Sequence, residues 1–196
     1  GCEGCAAFAK THYFPMGDGP DDCDLVVVGV SPTAPRLYVL NGVGPSYHAA
    51  FRDDGGKVIR AAIAEVQARY GDKPLLVKYL YAVRCTSEHP SKAVITACGS
   101  NLRTDLGRVV AARQAIGRKG PLVVLACGVG AVHACGVPAK SEDETLGRIY
   151  EGVGDLRLVV VPTRSLAAYA VSSGLYPTLV ADTDRAVRVA LNKRGQ

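Results

Sequence analysis

The chain has 196 residues, 48% hydrophobic and 21% charged, which supports one well-packed domain and excludes a disordered or fibrous chain. No run approaches the ~18–20 apolar residues of a membrane span, and no basic stretch leads into an apolar one at the start, so the sequence reads as an intracellular, cytoplasmic domain without a membrane partner. A net charge of +5 permits a nucleic-acid partner without requiring one.

The chain opens on Gly1-Cys2-Glu3-Gly4-Cys5, a pair of thiols at metal-ligand spacing. A Gly/Pro/Asp-rich connector from Met16 to Asp24 has the composition of a surface loop. Leu25 to Val30 is a continuous β-branched apolar run, the pattern of a strand buried on both faces of a parallel sheet. It ends in Ser31-Pro32-Thr33-Ala34-Pro35, where two prolines prevent an immediate helix and leave a loop at the carboxyl end of a strand. Such loops line the binding crevice of open α/β sheets.

Arg36 to Arg52 reads as an irregular excursion. Asp53-Asp54 caps a helix to about Tyr70, whose apolar face is Val58, Ile59, Ala62, Ile63 and Val66. Leu75 to Val83 is a second strand, carrying Tyr81 to its carboxyl end and Cys85 just beyond. Thr86 to Pro90 turns the chain into a helix from about Lys92 to Arg118, with Cys98 in its second turn and Gly120-Pro121 as its stop. Leu122 to Cys127 is a third strand, entering a helix at Gly128-Val129-Gly130-Ala131. The polar stretch Lys140 to Asp155 reads as a loop, and Leu156 to Val161 as a fourth strand ending in the loop Pro162-Thr163-Arg164-Ser165. A last helix spans Thr183 to Lys193. Strands alternating with helices predict a three-layer α/β/α sandwich around a central four-stranded parallel sheet.

Seven cysteines without a secretory signal point to metal ligation or buried thiols rather than disulfides. Cys2, Cys5, Cys85 and Cys98 have the number and type of groups that hold an iron–sulfur cluster or a zinc ion. Cys127 and Cys135 lie in apolar or small-residue surroundings and read as core thiols, and Cys23 is left over.

In order, the motifs are Cys2 to Cys5, Gly29-Val30-Ser31-Pro32-Thr33, Ala50-Phe51 through Ile59, and Tyr81-Ala82-Val83-Arg84-Cys85. Cys98, Cys127-Gly128-Val129-Gly130-Ala131 and Pro162-Thr163-Arg164-Ser165 complete the series. The series resembles the iron–sulfur branch (family 4/5-like) of the uracil-DNA glycosylase superfamily over nearly the whole chain. That branch carries Cys-x-x-Cys, Gly-Glu-x-Pro-Gly, Pro-Phe-x-Gly-x-Ala-Gly, Asn-x-x-Lys-Cys, a further cysteine, Leu-Gly-x-x-Ala and Pro-Thr-x-His-Pro. The resemblance implies a uracil-DNA glycosylase-like fold in which Cys2, Cys5, Cys85 and Cys98 ligate a 4Fe–4S cluster, with zinc as the alternative occupant. The cluster would serve as a structural staple beside a DNA-binding face.

The departures fall on the chemistry. The acidic residue of the first loop corresponds to Val30, the asparagine that reads the uracil edge to Tyr81, and the histidine of the last motif to Ser165. Phe51, which in the family stacks on an extruded base, is retained. Cleaving a glycosidic bond requires stabilising a cationic sugar and an anionic base, and losing each such group typically costs ~100-fold or more in rate. Ser31, Tyr81, His48, Arg164 and Ser165 are the polar groups able to stand in, with Arg164, Ser165 and Lys57 assigned to DNA. His48, His89 and His133 otherwise read as ordinary surface or loop residues.

The expected function is a DNA-binding iron–sulfur protein with weak or lost uracil excision, an accessory domain in replication or repair whose partners are single- or double-stranded DNA and replication or repair proteins. The alternatives are an active glycosylase or base-processing enzyme with altered base specificity, and a zinc-stabilised nucleotide-binding α/β protein.

Overall fold

The computed structural model describes residues 17–32, 51, 53–71, 74–85 and 90–194. Cys2, Cys5, His48, His89 and the rest of 33–50 and 86–89 lie outside the described residues. The strands are β1 (Leu25–Gly29), β2 (Val77–Tyr81), β3 (Val123–Cys127), β4 (Tyr150–Val153) and β5 (Leu158–Thr163). The helices are α1 (Asp54–Ala68), α2 (Lys92–Ala115), α3 (Val129–Ala134), α4 (Glu142–Thr145), α5 (Leu166–Val171) and α6 (Tyr176–Arg194).

The sheet runs β2-β1-β3-β5-β4, with the first four strands parallel and β4 antiparallel to β5. Every residue of β1, β3 and β5 is buried, as their uninterrupted apolar runs require of strands covered on both faces. Alternation along β1 sorts the core into two halves. Val26 and Val28 face a cluster with Leu102, Leu106 and Val109 of α2 and Val132 of α3. Leu25 and Val27 face Ile59, Ile63 and Val66 of α1 and Leu179 and Val187 of α6. Helices therefore cover both faces, and each fully buried Leu, Ile or Val contributes roughly 1.5–3 kcal/mol.

The four-stranded parallel sheet needs one correction, because a fifth, antiparallel strand lies at its edge. β4 sits inside the stretch read as a loop: Tyr-Glu-Gly-Val is short, half polar and half exposed. Gly152 has φ +67°, and the register shifts between Tyr150 and Val153, so period-two alternation never develops. α6 also begins earlier than expected. It starts at Tyr176 rather than Thr183, and Pro177 falls in its first turn, where the missing N–H is not needed.

Caps set the helix starts. Gly56 N donates to Asp53 Oδ1 (2.8 Å) at α1, and Val94 N donates to Ser91 Oγ (3.3 Å) at α2. The Gly/Pro/Asp connector also does more than join segments. Asp18 forms an antiparallel bridge with Tyr79 on the outer edge of β2, exchanging N–H···O bonds of 3.0 and 2.7 Å. That bridge covers part of an otherwise open edge.

Candidate base pocket and strand-end loops

The carboxyl ends of β1, β2, β3 and β5 bring the expected site residues to one end of the sheet. A Cβ placed on Gly128, after β3, would lie 3.1 Å from Ser165 Cβ and 3.4 Å from the Val30 side chain. The loops after β1, β3 and β5 therefore touch one another. Phe51 completes the group from outside the strands, entering at α1's N-terminus.

Phe51 is 1% exposed and Tyr81 5% exposed. Their rings stack with centroids 4.6 Å apart and planes 15° from parallel, while Tyr79 approaches Phe51 at 5.3 Å and 51°. Gly29 lies beneath the pair: a Cβ there would come within 3.0 Å of both rings. Tyr81 thus covers one face of the Phe51 ring, and the two rings are packed core rather than an open platform.

Phe51 holds a left-handed backbone (φ +63°), which costs a non-glycine residue roughly 1–2 kcal/mol. Two contacts hold it there. Arg60 Nε donates to Phe51 O (3.1 Å), and the same guanidinium lies 3.9 Å over the Tyr79 ring and pairs with Asp18. Gly56 packs directly beneath: a Cβ would meet the Phe51 backbone at 2.3 Å. The Tyr81 hydroxyl reaches toward Asp53 Oδ2 at 3.5 Å, the carboxylate that caps α1.

The last loop is fixed by a chain of hydrogen bonds. Arg164 N donates to Tyr169 Oη (3.3 Å), the hydroxyls of Tyr169 and Thr163 are 2.7 Å apart, and Thr163 Oγ1 donates to Asp182 Oδ2 (2.9 Å). Burial pushes the Asp182 carboxyl above its usual range, opposed by the Thr163 bond, Arg185 and Arg164. Ser165 Oγ accepts from Ala168 N (3.4 Å), capping α5, and Ser165 N donates to Glu142 Oε1 (3.0 Å). Glu142 Oε2 lies 3.7 Å from Arg164 Nη1. Ser165 is committed to a helix cap, and the neighbouring Arg164 to a carboxylate.

Lys57 is exposed on the first turn of α1 and pairs with Asp54 at 2.9 Å. Exposed pairs of this kind contribute about 0–1 kcal/mol, so a phosphate can displace the carboxylate at little cost. Ser31 is half-buried beside Val30 at the end of β1, and His133 is half-buried on α3.

Cys85 and Cys98 are both buried and belong to the same core cluster on the α2/α3 face of the sheet. Ile95 belongs to the same cluster, and Cys2 and Cys5, the other half of the expected ligand set, lie outside the described residues. Among the described residues no three His, Cys, Asp or Glu side chains gather as a metal site. Arg84, next to Cys85, pairs with Asp105 of α2, which also faces Arg108 at 3.5 Å, so the Cys85 loop is tied to the helix that bears Cys98. The remaining thiols are core residues: burial pushes Cys23 and Cys135 up to about 12 and Cys127 higher still, which keeps them protonated.

Sequence reasoning missed Arg60, Glu142, Tyr169 and Asp182. Only Glu142 had a local signal, because Ser141-x-x-Glu144 is a capping pattern that marks α4. No family model and no curated protein matches the chain. Among the described residues, no helix is long and apolar enough to cross a membrane.

Proposed function

We propose that this chain is an iron–sulfur, DNA-binding protein of the uracil-DNA glycosylase type in which uracil excision is weak or lost, acting as an accessory domain in replication or repair. The observation that carries the reading is the buried Phe51–Tyr81 stack. The residue types at the strand ends support a base-flipping ancestry, while the stack leaves the base without its platform. Val30 is apolar where an acid is needed, and Ser165 is spent on capping α5. With these groups gone, neither the sugar cation nor the departing base has a charged partner at the expected positions.

Cys85 and Cys98, with Cys2 and Cys5, are the residues that would hold a 4Fe–4S cluster. When bound, the cluster supplies structural cross-linking between the first residues and the loop after β2. Arg84 and Asp105 hold that loop against α2 independently of the metal. DNA contact is assigned to Lys57, Arg164 and the N–H groups of the strand-end loops, positions suited to backbone phosphates rather than base edges.

The test is fluorescence anisotropy with labelled single- and double-stranded oligonucleotides across a salt series, on protein purified anaerobically. Binding that weakens as salt rises, together with a broad brown absorption band and iron with acid-labile sulfide, is the expected result. Failure to bind any DNA at low salt would contradict the DNA assignment, and a colourless protein containing zinc would contradict the cluster.

A further inference from the structure

The opposite end of the sheet holds a cavity of about 360 Å³ that the reading above leaves unused. It lies where α2 ends, where β3 begins and where the β4–β5 hairpin turns. Its walls carry Arg113, Arg118, Lys119 and Arg157 against a single acid, Glu151. Arg118 is already paired with Asp24 at 2.6 Å, and Glu151 has Lys193 at 3.8 Å. Among the described residues, Arg113, Lys119 and Arg157 have no carboxylate partner. Two exposed cations without a carboxylate partner, Lys119 and Arg157, and the buried Arg113 therefore line one concavity.

Arg113 is 3% exposed and donates only to main-chain carbonyls, Cys23 O at 2.7 Å and Gly120 O at 3.3 Å. Those bonds fix the guanidinium, which also lies in the field of the buried Asp24 carboxylate. The α2 C-terminus would oppose an anion, but its last carbonyls are taken up locally: Arg118 N donates to Arg113 O (2.9 Å) and Gly117 N to Gln114 O (3.0 Å). Arg157 adds a second, independent sign. It holds φ +50° in the hairpin turn, where glycine would be unstrained. Strained residues of this kind concentrate at ligand sites. The floor is apolar, made by Val110, Leu122, Leu156 and Val159.

We propose that this cavity binds a small phosphorylated molecule of mononucleotide size, its phosphate held by Arg113, Lys119 and Arg157 and its body lying on the apolar floor. The volume is in the range of small-molecule sites, and inorganic phosphate alone would leave the floor uncovered. The cavity is distant from the strand-end loops in the fold, so the site stands whether or not those loops bind DNA.

Isothermal titration of the full chain with deoxythymidine monophosphate, thymidine and inorganic phosphate tests it. The expected result is saturable binding of one nucleotide per chain, at least ~10-fold tighter than inorganic phosphate, with thymidine weaker still. The double variant Arg157→Gly, Lys119→Ala should lose at least ~10-fold in nucleotide affinity while its thermal unfolding is unchanged or improved, since glycine relieves the left-handed turn and Lys119 is exposed. Absence of saturable nucleotide binding at millimolar concentration, equal affinity for phosphate and nucleotide, or unchanged affinity in the double variant would each overturn the proposal. Preferential binding of an oligonucleotide lacking terminal phosphates, lost in the same variant, would overturn it in favour of a DNA track.

Discussion

The two ends of the sheet carry similar charge types in opposite states. At the carboxyl end each cation assigned to DNA has an acid beside it, Lys57 with Asp54 and Arg164 with Glu142, and the aromatic that would receive a base is packed under Tyr81. At the amino end the cavity wall carries four cations, Arg113, Arg118, Lys119 and Arg157, against one acid, Glu151. Lys57 and Arg164 at the first end are engaged by nearby acids, while at the second Lys119 and Arg157 have no carboxylate partner among the described residues. The contrast teaches that the strand-end loops, where α/β sheets usually carry their sites, can be the more fully packed end of the sheet, with the open cavity at the other.

The largest expected effect tests whether the amino end is rigid around its cavity. Asp24 is buried and receives Arg118 (2.6 Å), Arg194 (3.4 Å) and Leu76 N (2.9 Å). Asp24→Ala leaves two guanidinium groups without their acid and is expected to cost about 3–5 kcal/mol in urea unfolding. A loss below about 1 kcal/mol would show that solvent already screens the cluster. At the other end, Tyr81→Asn removes the ring that covers Phe51. It should cost about 2–4 kcal/mol by leaving a cavity, and the Phe51–Tyr81 stack should account for most of that cost in a double-mutant cycle. Ser165→Ala deletes the α5 cap and is expected to cost about 1 kcal/mol in thermal unfolding, with Ser165→Thr restoring most of it.

The smallest effect is a pH slope. The Asp182 carboxyl titrates above its unfolded value because it is buried, so the folded state holds its proton more tightly. Its contribution is fully present below the unfolded pKa near 4 and is lost as pH rises through the raised folded value. Asp182→Asn, which keeps an oxygen to accept the Thr163 bond, should flatten stability over that window relative to the parent. An unchanged slope would assign the pH dependence to other groups.

Much of the scaffold was legible because its interior strands are written as continuous apolar runs: Leu25-Val26-Val27-Val28, Val123-Val124-Leu125 and Leu158-Val159-Val160-Val161 have no other stable place than a sheet covered on both sides. β4 was not, since four residues interrupted by Gly152 carry no period. In the site, the order of motifs led to Phe51, Tyr81 and Ser165, but their present condition was invisible. Whether Tyr81 lines a pocket or fills it depends on Gly29 and Gly56 allowing Phe51 to approach, and on Arg60 holding its carbonyl. Asp182 meets Thr163, and Glu142 meets Ser165, only through tertiary folding, so no local pattern announces either pair.

The central claim of the proposed function is that the carboxyl end, with Phe51 stacked under Tyr81, does not release uracil. The direct measurement is incubation of the protein with uracil-containing single- and double-stranded oligonucleotides, followed by alkali to cut at abasic sites and quantification of broken strands. Strand breakage at the level of the protein-free control, with excess protein and DNA bound, is the predicted result. Breakage that continues beyond one event per protein molecule would contradict it.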